Sequence, residues 1–123
     1  MTIDWAGYLH WRPAFVAAID ARLYTPEWLD GRIATGEAWF QRGDDAAIVA
    51  ELRQYPTGAR DVHGLIAAGD VAEIRDRLIP MAEAWGRAQG CIGAIIESRP
   101  GWARALAASG YAPHQLALRK DFC

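Results

Sequence analysis

Two titratable side chains stand where they could transfer protons. His63 lies inside an apolar run that has the composition of a strand, and Glu97 directly follows a second such run. An imidazole ordinarily titrates near neutral pH, and a carboxylate at a strand end can accept a proton, so both are candidate catalytic bases. The alternatives are structural. His63 is then a strand histidine with a satisfied partner, and Glu97 is an ion-pair partner of Arg99 or Arg104.

A polar turn and a short helix follow Glu97. Residues 98–101 read Ser-Arg-Pro-Gly, which is typical of a turn. Residues 102–109 have helical spacing, and Gly110 is well placed as a left-handed C-cap. This turn is the best candidate for a partner-binding surface, and its candidate residues are Arg99, Trp102 and Arg104.

Other chemistry has little support in the sequence. No His, Cys, Asp and Glu spacing suggests a metal site, and no Ser-His-Asp arrangement can be inferred. Cys91 opens an apolar strand and is expected to be a buried thiol, whereas Cys123 is expected to be exposed. Two cysteines in these positions do not indicate a disulfide framework, and they fit a reducing compartment.

The first third of the chain is predicted to be a pair of helices. Pro13 suits the first turn of the first helix, with the aromatic residues Trp5, Tyr8 and Trp11 clustered just before it. The second helix should start at Thr25-Pro26-Glu27 and end at Gly36, because Thr caps, Pro favours the first helical position and Gly ends helices.

Strands should fill the middle of the chain. A hairpin is predicted from a strand at 38–40, a turn at 42–45 and a return strand at 46–55, followed by a third strand at 62–68. Gly64 inside the third strand is expected to mark a bulge or a close backbone approach. The apolar run at 92–96 should be a strand covered on both faces, parallel to the third strand. An alternating final strand is expected around Leu116 and Leu118.

The main helix should begin at Asp70. Asp70 and Glu73 have the spacing of a capping box, in which each side chain satisfies the other's backbone N–H. Pro80 in the helix interior should leave the Asp76 carbonyl free and bend the axis. One apolar stripe is predicted along the helix, and its residues are Val71, Ile74, Leu78, Met81, Trp85 and Ala88.

Length and charge limit the number of domains and the classes of partner that this protein is expected to have. A chain of 123 residues forms one domain, with a helical part at 1–36, antiparallel strands at 37–69 and a helix-strand-helix-strand part at 70–123. The formal net charge is −2 and no basic run occurs, so neither nucleic acid nor a membrane surface is an expected partner. No apolar stretch is long enough for a membrane helix, and a cytoplasmic protein is expected.

This order of elements resembles the GNAT acyltransferase fold. Residues 82–91 resemble the end of that fold's main helix, and residues 105–111 resemble its short helix that ends in Gly-aromatic. More specifically, residues 99–106 with Gly110-Tyr111 are similar to small GNAT-like proteins of bacteriophage and prophage genomes. The resemblance implies an α+β, GNAT-like three-layer fold, with a mixed central sheet of about five to six strands and helices on both faces.

The resemblance also implies where acetyl-CoA would bind. In GNAT proteins a loop of the pattern Gln/Arg-x-x-Gly-x-Gly/Ala opens the main helix and cradles the pyrophosphate. Here the run at 70–75 lacks both glycines and carries two carboxylates, which indicates impaired binding of acetyl-CoA. The residues that the resemblance implies for contacting acetyl-CoA are Leu65, Ile66, Ala67, Arg75 and Arg77.

Two functions remain open. The first is a non-catalytic binding module, virion-associated or acting in the bacterial cytoplasm, with an unknown protein partner. The second is a divergent acyl-CoA-dependent N-acetyltransferase that acts on a small amine, with His63 or Glu97 taking the proton. In the GNAT family a Tyr usually acts as the general acid, and the corresponding residue here is Leu106. This difference favours the non-catalytic binding module. A homo-oligomer is compatible with either function.

Overall fold

The computed structural model describes residues 2–122, so the prediction for Cys123 lies outside the described residues. Two helices come first, followed by a three-stranded antiparallel part, an interrupted helix, one more strand and a short helix. The elements are α1 (Trp5–Ala18), α2 (Pro26–Thr35), β1 (Ala38–Arg42), β2 (Ala46–Gln54), β3 (Arg60–Gly69), α3 (Val71–Glu73), a π turn (Ile74–Leu78), α4 (Ile79–Ala88), β4 (Gly93–Ile96), α5 (Gly101–Leu106) and a 3-10 turn (Ala107–Ser109).

The sheet has four strands in the order β1-β2-β3-β4. Neighbouring strands are antiparallel from β1 to β3, and β4 is parallel to β3, as the sequence predicts. The prediction of five to six strands is wrong, because residues 111–122 form no helix or strand. Leu116 and Leu118 are 83% and 86% exposed. Their alternation alone does not make a strand, because within residues 2–122 no strand pairs with this segment.

Helices cover both faces of the sheet. Side chains alternate along β2, so that Ala47 and Val49 face α1 and α2 while Ile48 and Ala50 face the main helix. The core under α1 and α2 is aromatic, with Tyr8 and Phe15 fully buried. The other core is aliphatic, and its buried residues are Ala46, Ile48, Ile74, Leu78, Ile79 and Leu106.

The first helix begins earlier than Pro13 suggests. Asp4 is its N-cap, and the Asp4 Oδ1 accepts the Gly7 N–H at 3.1 Å. The predicted aromatic cluster is therefore part of α1, and Pro13 lies inside the helix instead of in its first turn. The capping aspartate outweighs the proline as a start signal because it satisfies a backbone N–H that would otherwise have no partner.

The second helix begins and ends at the residues predicted from the sequence. Thr25 Oγ1 accepts the Trp28 N–H at 3.1 Å, and Pro26 occupies the first turn. Gly36 ends the helix with a φ of 78°, in the left-handed region that glycine enters without steric cost.

The main helix is interrupted where Pro80 enters it. A π turn spans Ile74–Leu78, and the Ile79 N–H bonds to the Ile74 carbonyl. The extra residue of this turn rotates the following helix, so the predicted single stripe is wrong. Val71, Met81 and Ala88 are exposed. The buried face of α4 instead consists of Ile79, Ala82 and Gly86.

The strand β4 is less covered than predicted. It lies at the edge of the sheet, and its residues Ala94 to Ile96 are only half-buried. Ile92, which was expected inside the strand, precedes it and is 78% exposed. An edge strand with one open side cannot be buried on both faces unless a further segment covers it.

A close contact between α4 and β3 gives a first test of this packing. A Cβ added at Gly86 would lie 2.7 Å from the Val62 Cβ, whereas a Cβ at Gly31 in α2 would meet nothing within 4 Å. We expect Gly86→Ala to lower the free energy of unfolding by about 1–3 kcal/mol through overpacking. Gly31→Ala is the matched control and should raise it by about 0.5–1 kcal/mol. Urea unfolding measures both, and stabilisation by both changes would contradict the described contact.

Candidate functional site

The sheet opens between β3 and β4. The two strands pair from Asp61 opposite Gly93 to Gly64 opposite Ile96, and pairing stops there although β3 continues to Gly69. A bulge lies at this point, since Val49 faces Ile66 and Ala50 faces Gly64, which leaves Leu65 without a partner on β2. The bulge predicted at Gly64 is thus confirmed, and a cleft lies beside β3 beyond the end of β4.

The cleft has a volume of about 80 Å³. Apolar side chains line its floor, and polar groups stand at the end of β4. Its lining includes three residues of β3, Leu65, Ile66 and Ala67, together with Glu97, Ser98 and Trp102 from the chain after β4. The structure therefore brings together the three candidate cofactor residues of the strand, one candidate base and one candidate partner residue.

Four charged or polar side chains meet beside the cleft. Nδ1 of His63 lies 3.3 Å from a Glu51 carboxylate oxygen, and its Nε2 lies 3.6 Å from Glu97 Oε1. Arg53 donates to the same Glu97 oxygen at 2.6 Å. We call Glu51, Arg53, His63 and Glu97 the histidine cluster. In this cluster, buried His63 lies between the carboxylates of Glu51 and Glu97. Glu97 is the member that lines the cleft.

Sequence reasoning found two members of this cluster and missed the others. The signal for Glu51 was available, because it directly faces His63 in the pairing of β2 with β3. The hairpin register was not worked out from the sequence, so the cross-strand pair was not seen. Glu97 was expected to pair with Arg99 or Arg104, and this is wrong, because its partner is Arg53.

The half-buried carboxylate of the cluster, Glu51, is held in its charged form. The hydrogen bond with His63, aided by nearby Arg32 and Arg53, holds the pKa of Glu51 below its ordinary value against the opposing effect of burial. Arg32 Nη2 lies 3.2 Å from the Glu51 carboxylate. Because the folded pKa is depressed, this contribution to stability is complete above the ordinary pKa and is lost as pH falls through the folded pKa.

The pH dependence of unfolding tests this charge. We expect Glu51→Gln to lower the free energy of unfolding by about 1–3 kcal/mol at neutral pH, the usual cost of losing hydrogen bonds to a charged group. The difference from the native chain should shrink as the solution is acidified. Glu37→Gln is the matched control, since Glu37 also binds Arg32 but is exposed, and its effect should be under about 1 kcal/mol. A difference that grows on acidification would contradict the assignment.

The start of the main helix is occupied by two carboxylates. Asp70 Oδ2 accepts the Glu73 N–H at 2.9 Å, which is half of the predicted capping box. The reciprocal bond is not formed, because both Glu73 carboxylate oxygens instead accept the Asp45 N–H, at 3.2 and 3.3 Å. Glu73 reaches this amide across Gly43, where a Cβ would overlap the Glu73 carboxylate.

The two arginines predicted to contact acetyl-CoA are not among the residues that line the cleft. Arg75 forms two hydrogen bonds of 2.7 Å with neighbouring Asp76. Arg77 lies 3.5 Å from Asp44 in the β1–β2 turn. Each guanidinium is thus paired with a carboxylate.

The candidate partner residues form an exposed rim around half-buried Trp102. Arg99 and Arg104 are exposed, and within residues 2–122 neither forms an ion pair. Leu106 is buried in the core, as its apolar side chain requires. The Tyr111 hydroxyl donates to Glu83 on α4 at 2.6 Å. Burial, followed by this hydrogen bond, raises the pKa of Tyr111 above its ordinary range.

Comparison with solved structures shows which fold holds this site. The structure is similar to a probable acetyltransferase, with a TM-score of 0.68 and 11% identity over 95% of this chain and 92% of that chain. It is also similar to a GCN5-related N-acetyltransferase from Ralstonia eutropha, with a TM-score of 0.66 and 20% identity over 98% and 95% of the two chains. The chain has the GNAT fold.

A third similar structure has a more specific description. It is glucosamine-6-phosphate N-acetyltransferase from Arabidopsis thaliana, with a TM-score of 0.63 and 11% identity over 95% of this chain and 90% of that chain. No protein-family model and no curated protein sequence matches the chain. At these identities the comparisons establish the fold alone, so the function has to be argued from the site.

Two further findings concern metal binding and membrane spans. Among the described residues, no three His, Cys, Asp or Glu side chains are grouped so that they could hold a metal ion. From residue 2 to residue 122, no helix has the length and apolar character needed to cross a membrane.

Proposed function

We propose that this chain is a GNAT-fold binding protein that does not use acetyl-CoA. The observation that carries the proposal is the Glu73 carboxylate, which binds the Asp45 amide at the start of the main helix. A pyrophosphate binds at a helix start through free backbone N–H groups and the positive end of the helix dipole. The residues present here do not fit that group.

Two backbone donors near this helix start are taken up by carboxylates, since Glu73 binds the Asp45 N–H and Asp70 binds the Glu73 N–H. Asp70 accepts the Glu73 N–H through its side chain and the Ile74 N–H through its carbonyl, at 2.9 and 3.1 Å. Two carboxylates at this end would also repel a phosphate, because like charges a few ångströms apart interact unfavourably. The nearby arginines cannot offset this charge while Arg75 binds Asp76 and Arg77 binds Asp44.

The proposed partner is a protein that docks at the end of β4. Glu97 and Trp102 line the cleft, and the exposed arginines beside them provide charge at its rim. Because residues 99–106 with Gly110-Tyr111 resemble small GNAT-like proteins of bacteriophages and prophages, we propose a phage-encoded setting. The protein would then act in the bacterial cytoplasm or as part of a virion.

A transfer assay tests the proposal. The native chain is incubated with millimolar acetyl-CoA and a panel of primary amines, and release of free thiol is followed. We expect no release above the rate without protein. Protein-dependent release that scales with amine concentration would overturn the proposal.

The second candidate is a divergent N-acyltransferase for a small amine, and the histidine cluster favours it. Glu97 is 54% exposed at the cleft and could accept a proton from an amine bound there. Buried His63 behind it could hold or pass on that proton, while Arg53 fixes the carboxylate. If the native chain does release thiol, Glu97→Gln should abolish the release and the exposed control Glu37→Gln should not.

A further inference from the structure

Buried His63 has a carboxylate at each of its ring nitrogens, an arrangement that the proposed binding function does not use. Nδ1 lies 3.3 Å from Glu51 Oε1, and Nε2 lies 3.6 Å from Glu97 Oε1. A neutral imidazole donates through one nitrogen and carries a lone pair on the other, whereas an imidazolium donates through both. Only the charged ring can therefore satisfy both carboxylates at the same time.

The neighbouring charges provide partners for either form of the ring. Arg53 Nη2 lies 3.5 Å from both ring nitrogens, and a cation at this distance favours the neutral ring, as burial does. Arg32 binds Glu51 at 3.2 Å and Glu37 at 3.3 Å. With the second carboxylate at the ring, this network holds three carboxylates and two guanidiniums, so a proton on His63 completes its charge balance.

The elements packed around the ring bring no other charge into contact with it. The helix α1 packs against β3, and β4 places Ile95 opposite His63. Within residues 2–122, the ring forms hydrogen bonds and ion pairs only with members of the histidine cluster. The remaining titratable groups of α1 and of this part of β3 are exposed His10, Tyr8 and Arg12, both bound to Asp30, and Asp61, bound to Tyr55.

Glu97 is the first residue after the pairing of β4 with β3 ends. The last paired residues are Gly64 and Ile96, and the chain beyond them lines the cleft with Glu97, Ser98 and Trp102. The contacts of Glu97 with Arg53 and with the histidine ring therefore hold the start of this segment against the sheet.

We propose that His63 is a pH-sensitive latch that fastens the end of β4 to the sheet. The protonated ring binds Glu51 and Glu97 together. When Nε2 loses its proton to water, the remaining N–H stays on Glu51, which is 17% exposed against 54% for Glu97. The Nε2 lone pair then faces the Glu97 carboxylate, and Arg53 alone holds that side chain. An imidazole ordinarily titrates near neutral pH, so the change falls where the surrounding carboxylates stay charged.

The latch acts on the surface that is proposed for docking. Its use in partner binding rests on the proposed function, because an unfastened segment moves Ser98 and Trp102 relative to the sheet. The existence of the latch does not rest on that function, since the free chain shows it without any ligand. A negative result for the latch therefore leaves the outcome of the transfer assay unchanged, and the reverse also holds.

Nitrogen chemical shifts of the His63 ring test the first step. They are followed by NMR on the free native chain between about pH 5 and about pH 8. We expect both ring nitrogens to carry a proton at the acidic end and Nδ1 alone to carry one at the alkaline end. A ring that keeps one form over this range, or that keeps its proton on Nε2, would overturn the proposal.

Relaxation of the backbone amides tests the second step. As the ring loses its proton, we expect the order parameters of the Glu97 and Ser98 amides to fall from about 0.85 to about 0.6 or less. The midpoint of this change should equal that of the His63 ring. A ring that titrates while these amides keep the same mobility would overturn the latch.

Two variants separate the latch from a general effect of pH. In Glu97→Gln, the amide can accept from the charged ring and donate to the neutral one, so the mobility of residues 97 and 98 should not change with pH. His10→Gln replaces an exposed histidine on α1 and is the matched control, which should keep the native response. A response that persists in Glu97→Gln, or that disappears in His10→Gln, would contradict the assignment to His63 and Glu97.

Discussion

Replacing Tyr8 by alanine is expected to lower the free energy of unfolding by about 3–5 kcal/mol, the usual cost of removing a buried aromatic ring. Tyr8 is fully buried, and its ring packs against Phe15 and edge-on against Phe40. Its hydroxyl donates to Asp30 at 2.6 Å, and Arg12 binds the same carboxylate through two bonds of 2.8 Å. One side chain thus joins α1, α2 and the sheet.

Tyr8→Phe is the matched control because it keeps the ring and removes only the hydroxyl. Its expected cost is about 1–3 kcal/mol, since the lost bond is to a charged acceptor. Urea unfolding of both variants separates the packing of the ring from its hydrogen bond. Equal losses for Tyr8→Ala and Tyr8→Phe would show that the ring does not carry the stability assigned to it.

The second large effect is a gain in acetyl-CoA affinity when the helix start is cleared. We expect Glu73→Gly/Arg75→Gly to bind acetyl-CoA at least tenfold more tightly than the native chain. The change frees the Asp45 N–H and removes one carboxylate from the place of the pyrophosphate. Two glycines in this turn cost helix stability of about 1 kcal/mol each, so folding should be checked by circular dichroism.

Arg75→Gly alone is the control for that experiment. It leaves the Glu73 carboxylate on the Asp45 amide, and we expect its affinity to stay at the native level. Calorimetric titration compares the three chains. A single variant that binds as well as the double variant would show that the arginine blocks the site and that the Glu73 carboxylate does not.

Local signals predicted the elements whose ends are fixed locally. Thr25 and Gly36 limit α2 because a hydroxyl cap and a left-handed glycine act within a few residues. The β1–β2 turn and the left-handed Gly110 were found for the same reason. The parallel pairing of β4 with β3 also follows from the order of the elements, since a helix separates the two strands.

Features that depend on distant partners were not predicted. The π turn adds a residue and so rotates the second half of the main helix. A search for apolar residues at spacings of three and four assumes a regular α-helix and does not detect this extra residue. Pro13 suggested a helix start that the Asp4 cap overrides. The alternation of Leu116 and Leu118 predicts a strand, but a strand also needs a neighbouring strand to pair with, and the described part of the chain pairs none with them.

Two members of the histidine cluster were identified from the sequence, and two were missed because their roles depend on a distant strand. His63 and Glu97 were identified by residue type and by their place at strands, and the structure brings them within 3.6 Å of each other. Glu51 and Arg53 were missed because their roles follow from the register of β2 on β3. The capping box predicted from Asp70 and Glu73 forms only in half, because Glu73 binds the Asp45 N–H instead of closing a reciprocal cap.

Calorimetric titration of the native chain with acetyl-CoA tests the central claim most directly. Because Glu73 binds the Asp45 N–H and Asp70 binds the Glu73 N–H, so that two carboxylates stand at the start of the main helix, we predict no saturable heat of binding up to millimolar acetyl-CoA. Saturable binding with a micromolar dissociation constant would contradict the account. It would show that this GNAT fold binds the cofactor despite those carboxylates.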